Sequence, residues 1–144
     1  MKKQDERYVQ NQCFIQFTRE YCTINNEPQL LMHSCINGVG ISIPDTIPKA
    51  YHEKIKALIA NFIDIQKSLG LVSGVSDCLI HGVQGRCVWV EFKEASGKQR
   101  EAQIRQQQRT EKNGGVYIMP RSIDEFWTKI NPYIPWLLGK ENEL

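Results

Sequence analysis

The sequence has no uncharged apolar run long enough to span a bilayer, so it offers no transmembrane helix. It also lacks any C-x-x-C pair or cysteine/histidine ligand spacing, which argues against structural zinc. The five cysteines, Cys13, Cys22, Cys35, Cys78 and Cys87, are odd in number and scattered. Reduced, partly buried thiols in an intracellular protein are expected from that pattern rather than a disulfide framework. Met1 to Glu6 leads into no apolar signal-peptide core, and a cytoplasmic protein with no membrane association is expected. Neither sign of charge dominates, with 18 Lys and Arg against 16 Asp and Glu. A net charge of +2 permits a nucleic-acid partner without arguing for one. There is no internal repeat, no low-complexity tract and no convincing linker. The 144 residues therefore read as one domain, 1–144, long enough to bury a core, with an apolar tail over 131–144.

What is present is an alternation of helical and strand patterns. Val9, Cys13, Phe14, Phe17 and Tyr21 put an apolar stripe on a helix from Glu6 to Tyr21. A loop with Asn25-Asn26-Glu27-Pro28 follows, then a short strand at Leu30 to His33 and a turn at Asn37-Gly38. Pro48 suits an early helical position, and Ile55, Leu58, Ile59, Phe62, Ile63 and Leu69 continue an amphipathic stripe that Gly70 is placed to stop. Asp77 to His81 and Arg86 to Phe92 read as a hairpin around a glycine-bounded loop. Cys87-Val88-Trp89-Val90 is apolar on both faces, which predicts a covered central strand with Trp89 in the core. A polar helix from about Gln99 to Asn113, a strand at Val116 to Met119 and a Ser122/Glu125 capping box before a short helix complete the order. The expected class is α/β, a mixed central β-sheet flanked by helices.

The chemistry-bearing residues lie on the hairpin. Glu91 and Lys93 are two apart on a strand, so they share a face, roughly 6–7 Å apart along it. A four-residue loop sets Asp77 opposite Val90; a five-residue loop or a bulge sets it opposite Glu91. Cross-strand neighbours are about 4.5–5.5 Å apart at Cβ, and two carboxylates that close repel unless a cation lies between them. Magnesium suits such a site because it takes oxygen ligands and keeps several waters. It binds a scissile phosphate and acidifies its bound water, while Lys93 can orient the attacking water or support the pentavalent phosphate. A lone Glu-x-Lys at a strand end is more often a surface ion pair. The whole set, with Gly-x-x-Asp, a glycine turn, an apolar strand and a Gln/Arg helix, raises the catalytic reading. Arg100, Arg105 and Arg109 recur along that helix, as phosphate contacts or as an ordinary solvated face.

Gly74-Val75-Ser76-Asp77, Val90-Glu91-Phe92-Lys93, Gly97-Lys98 and Gln103 resemble the VRR-NUC family of the PD-(D/E)xK nuclease superfamily. Gly115 to Ile118, Glu6 with Gln10, and Asn37-Gly38 extend the likeness from Glu6 to about Ile130. Ser76 stands where the family motif usually has proline. The resemblance implies a restriction-endonuclease-like core and Mg2+ (or Mn2+) held by Asp77, Glu91 and the Phe92 backbone carbonyl. It implies that Lys93 is the catalytic lysine and that Gln103 borders the site. Glu6 resembles a first-helix acid that completes some superfamily sites, with Asp5 or Glu20 as alternatives. Stand-alone VRR-NUC domains occur largely in phage-like settings and resemble Holliday junction resolvases, which implies a homodimer cutting branched DNA inside a bacterial host. Cleavage of flaps or linear duplex, and a non-catalytic nucleic-acid-binding module, are the competing functions. The apolar tail, with Ile134, Trp136, Leu137 and Leu138, is open to two uses: a dimer contact, or a cap on its own core.

Overall fold

A computed structural model describes residues 5–22, 30–35, 43–68 and 75–140 of the chain. The expected loop at Asn25 to Pro28, the turn at Asn37-Gly38, the helix stop at Gly70 and the glycine at position 74 lie outside these residues.

Helix α1 (Glu6–Phe17) starts where the Asp5 carboxylate accepts a hydrogen bond from the Arg7 N–H at 3.1 Å. Val9, Cys13 and Phe17 recur every four residues and are all buried. Phe14 lies off that line and is exposed. The α-helix ends earlier than its apolar stripe suggests, and Thr18–Cys22 continues as a turn of π-helix.

Strands β1 (Leu31–Ser34), β2 (Cys78–His81), β3 (Cys87–Val90) and β4 (Val116–Ile118) form one sheet in the order β1-β2-β3-β4. The first two pairings are antiparallel and β3–β4 is parallel, so the sheet is mixed as expected. One face carries Met32, Cys78, Ile80, Val88, Val90 and Ile118, all buried. Against it pack α1, helix α4 (Ile123–Ile130) through Phe126 and Ile130, and the short helix α5 (Ile134–Leu137). The Phe17 ring lies 6.2 Å from Phe126 and 6.3 Å from Trp127, which ties α1 to α4. The opposite face is covered only in part. Cys87 and Trp89 are half-buried there, so β3 is not a strand enclosed on both sides and Trp89 is not a core residue. The apolar run read as doubly covered because composition cannot show how much of a face its neighbours reach.

Helix α3 (Glu101–Lys112) lies against β4 and ends at Asn113 with Gly114 at φ 76°, the expected C-terminal stop. The Ser122 cap on α4 is present, its hydroxyl accepting from the Glu125 N–H. The Glu125 carboxylate accepts from the Arg121 N–H rather than closing the box on Ser122. Helix α2 (His52–Ser68) follows a 3-10 turn at Lys49–Tyr51.

The tail folds back. Leu137 is fully buried, Ile134 nearly so, and Trp136 and Leu138 pack on the same core. Arg86 from the hairpin loop donates to the Trp136 carbonyl and lies over its ring, 5.6 Å from the centroid. A Cβ on Gly82 would meet the Leu137 carbonyl oxygen at 2.3 Å, so only glycine lets the loop and tail touch there. The tail therefore caps its own core, and its most apolar residues are not a free dimer contact. No helix among the described residues is long and apolar enough to cross a membrane.

Candidate active site

The hairpin register decides the geometry. His81 pairs with Cys87 and Cys78 with Val90, so the loop is the five residues from Gly82 to Arg86. Extending that register by one step sets Asp77 opposite Glu91, on the half-covered face of the sheet. The Gln84 φ of 56° and Gly85 φ of 73° make the left-handed steps that turn the longer loop.

Past Val90 the chain stays extended. The Glu91 N–H donates to the Ile118 carbonyl at 3.0 Å and the Lys93 N–H to the Pro120 carbonyl at 3.1 Å. These alternate bonds turn the Phe92 N–H and carbonyl toward β2. There the Phe92 N–H donates to Asp77 Oδ2 at 2.7 Å. The Phe92 carbonyl is thus directed to the side on which Asp77 sits.

Glu91 is 0 % exposed and Lys93 is 8 % exposed. Lys93 Nζ donates to Glu91 Oε1 at 2.5 Å, and the Gln103 side-chain amide donates to the same oxygen. Gln103 Oε1 also accepts from the Arg100 N–H at 2.9 Å, so one side chain caps α3 and ties it to the acid. Glu91 Oε2 is buried with no hydrogen-bond partner among the described residues. A carboxylate oxygen stripped of water and left without a donor is costly, and a cation relieves that cost. Burial first, and Asp77 second, raise the Glu91 carboxyl to about 7 despite the Lys93 ion pair.

Glu6 enters from the first turn of α1. Its carboxyl is raised by burial, opposed by Lys93 and reinforced by Asp77, which places it in electrostatic reach of both. Of the alternatives, Asp5 caps the helix, accepting from the Arg7 N–H, and Glu20 lies fourteen residues along, about 20 Å at helical rise. Gln10, one turn on from Glu6, donates to Cys78 Sγ at 3.4 Å. Asp77, Glu91, Lys93, Gln103 and Glu6 thus gather at one end of the sheet. Arg100, Arg105 and Arg109 do not enter it; all three are exposed, and Arg105 pairs with Glu101 at 3.5 Å. No three of Asp, Glu, His or Cys close to a ligand set among the described residues. Two carboxylates and a backbone carbonyl are still an oxygen donor set of the kind magnesium takes while keeping waters.

The pattern of residues gave no hint of Arg121. Its guanidinium donates to the Glu94 and Gly97 carbonyls, each at 2.8 Å, holding the loop after Lys93 from 24 or more residues away. Gly97 in that loop lies against the Lys93 stem, where a Cβ would be 3.4 Å from Lys93 Cδ. Tyr117, on the expected strand at Val116 to Met119, has its phenol pushed up to about 12 by burial beside this site. The histidines sit apart from it. His33 Nε2 meets His81 Nε2 at 3.0 Å with stacked rings, a structural contact on the sheet face.

No family model matches the chain. No curated protein matches it. A solved structure described as a VRR_NUC domain protein superimposes with a TM-score of 0.56 at 18 % identity, covering 92 % of this chain and 90 % of that one. The chain has the fold of a VRR_NUC domain protein. The α/β, restriction-endonuclease-like architecture read from the sequence is therefore present in the structure: a mixed four-stranded sheet flanked by helices. In this VRR_NUC-like fold, the cluster at Asp77, Glu91 and Lys93 lies where β2 begins and β3 ends.

Proposed function

We propose that this chain is a divalent-metal-dependent endodeoxyribonuclease, a homodimeric four-way junction resolvase. One observation carries the reading: the buried Glu91 has one oxygen fixed by Lys93 and Gln103 and the other without a partner, beside Asp77. Asp77, Glu91 and the Phe92 carbonyl would hold Mg2+ or Mn2+, with Glu6 as a further oxygen donor. When bound, the ion supplies Lewis acidity toward the scissile phosphate and a more acidic water.

The residues of the chain do the rest. Lys93, pinned by Glu91 and by the Gly97 loop, presents a positive charge where the attacking water or the pentavalent phosphate would sit. Gln103 fixes the orientation of Glu91 and keeps α3 beside it. The exposed arginines of α3 supply phosphate contacts away from the chemistry. A plain binding module has no use for paired acids facing a polyanion, which disfavours that alternative. Symmetric cuts on two strands need two sites, hence two copies.

The test is incubation of the purified protein with labelled four-way junction, flap and linear duplex, with EDTA, Mg2+ or Mn2+. Metal-dependent cutting of the junction is expected to exceed cutting of the flap and the duplex. Equal cutting of flaps would move the substrate assignment, and no cutting of any DNA would end the nuclease reading.

A further inference from the structure

Two hydroxyls beside the candidate site have no part in the chemistry proposed for it. Ser76 Oγ and Tyr117 Oη are buried with no hydrogen-bond partner among the described residues, as is Glu91 Oε2. Ser76 is 0 % exposed. It directly precedes Asp77, where the chain bends before β2 begins. Tyr117 pairs in register with Trp89, so it stands on the sheet face that also carries Glu91, two residues further on. Burial raises the Tyr117 phenol most; Ser76 opposes that rise, Glu91 adds to it and Gln99 opposes it, so these three groups surround the phenol. Gln99 comes from the loop before α3, where its amide donates to Gln107 Oε1 at 2.8 Å. The proline usual in the family motif at position 76 has no hydroxyl, so this part of the site belongs to this chain rather than to the motif.

We propose that Ser76 and Tyr117 are positioning residues for Glu91: their hydroxyls seat one enclosed water that donates to Glu91 Oε2. Each of the three oxygens is costly to bury unpaired, and one water with several polar partners satisfies them together. The donor order follows from the groups. An ionised carboxylate only accepts, so the water gives Glu91 one hydrogen. It gives its other hydrogen to one hydroxyl and accepts from the second. Lys93 and Gln103 already fix Glu91 Oε1, so a bond to Oε2 sets the plane of the carboxylate before any cation arrives. That oxygen has a second lone pair, which the water leaves for the ion. Neither hydroxyl touches the reacting atoms; both act through Glu91. The role rests on the metal reading above, whereas the shared water rests on the buried hydroxyls alone.

Two measurements on the full chain without DNA test it: Mn2+ binding, followed by the electron paramagnetic resonance of the free ion, and urea unfolding in EDTA. Ser76→Ala and Tyr117→Phe each delete one oxygen, so both variants keep the fold. Each is expected to weaken Mn2+ binding about 10-fold, as for other groups that orient a metal ligand. The double variant is expected to lose little more than the larger single loss, because the water goes with either hydroxyl. In EDTA the losses of stability should likewise be less than additive. Unchanged Mn2+ affinity in both single variants, with only the urea midpoint lowered, would make the hydroxyls merely structural and overturn the inference. Losses of affinity that multiply in the double variant would overturn it too, since the hydroxyls would then act separately. A wild type that binds no Mn2+ would end the metal reading of the site and with it the positioning role, while additive losses in EDTA would remove the shared water and leave the metal reading standing.

Discussion

Asp77 and Phe92 are joined across the hairpin by a 2.7 Å hydrogen bond from the Phe92 N–H to Asp77 Oδ2. The acid thereby substitutes for a β2 carbonyl in the ladder just where β2 begins. It holds the Glu91-Phe92-Lys93 segment in register beside β2. Fold and site meet in this one side chain.

Asp77→Asn should separate the two roles. The amide oxygen still accepts from Phe92, so stability should change by about 1 kcal/mol or less, while Asp77→Ala leaves the N–H unpaired at a cost of about 1–3 kcal/mol. Both should retain binding to junction DNA and lose cleavage. Urea unfolding alongside a gel assay gives both readouts, and full cleavage by either variant would refute the ligand role.

Lys93→Ala should lower the cleavage rate by about 10²–10³-fold with little loss of DNA affinity, because the charge acts on the developing phosphate. Arg121→Ala should lower the rate less, through the loop that confines Lys93. Single-turnover kinetics against a binding isotherm distinguish these outcomes from a loss of binding.

Glu91 makes stability depend on pH. Its folded carboxyl is raised from 4.5 to about 7, so between those values the folded chain holds a proton that the unfolded chain releases. Stability is therefore greatest below the unfolded value and falls as pH rises through the folded one, by at most about 1.4 kcal/mol per unit. In EDTA the urea midpoint should decline from pH 5 to 7, and Glu91→Gln should flatten that decline. Added Mg2+ should raise the midpoint more at pH 8 than at pH 5. A flat wild-type profile would contradict the buried, proton-holding acid.

Leu137→Ala should cost about 2–5 kcal/mol, the range for emptying a closed core. The side chain is fully buried, so the loss should be independent of protein concentration. A loss that vanishes at high dilution would mean the tail serves an interface between copies after all.

Residue types and spacing determined much of this molecule. Apolar periodicity located α1, α2 and the strands, because a side chain's burial follows from the local repeat of 3.6 or 2. The Glu91/Lys93 pairing on one face was legible for the same reason. Tertiary structure decided what depends on contacts between distant segments. It chose the five-residue loop that aligns Asp77 with Glu91, because the Gly82 contact with Leu137 and the Arg86 bonds to the tail fix how the hairpin turns. It brought Glu6, from the first turn of α1, into electrostatic reach of Lys93 and Asp77. It turned the tail inward, left Trp89 half-covered, and brought Arg121 to the Lys93 loop. None of these has a local signature, since each is set by which surfaces meet once the chain has closed on its core.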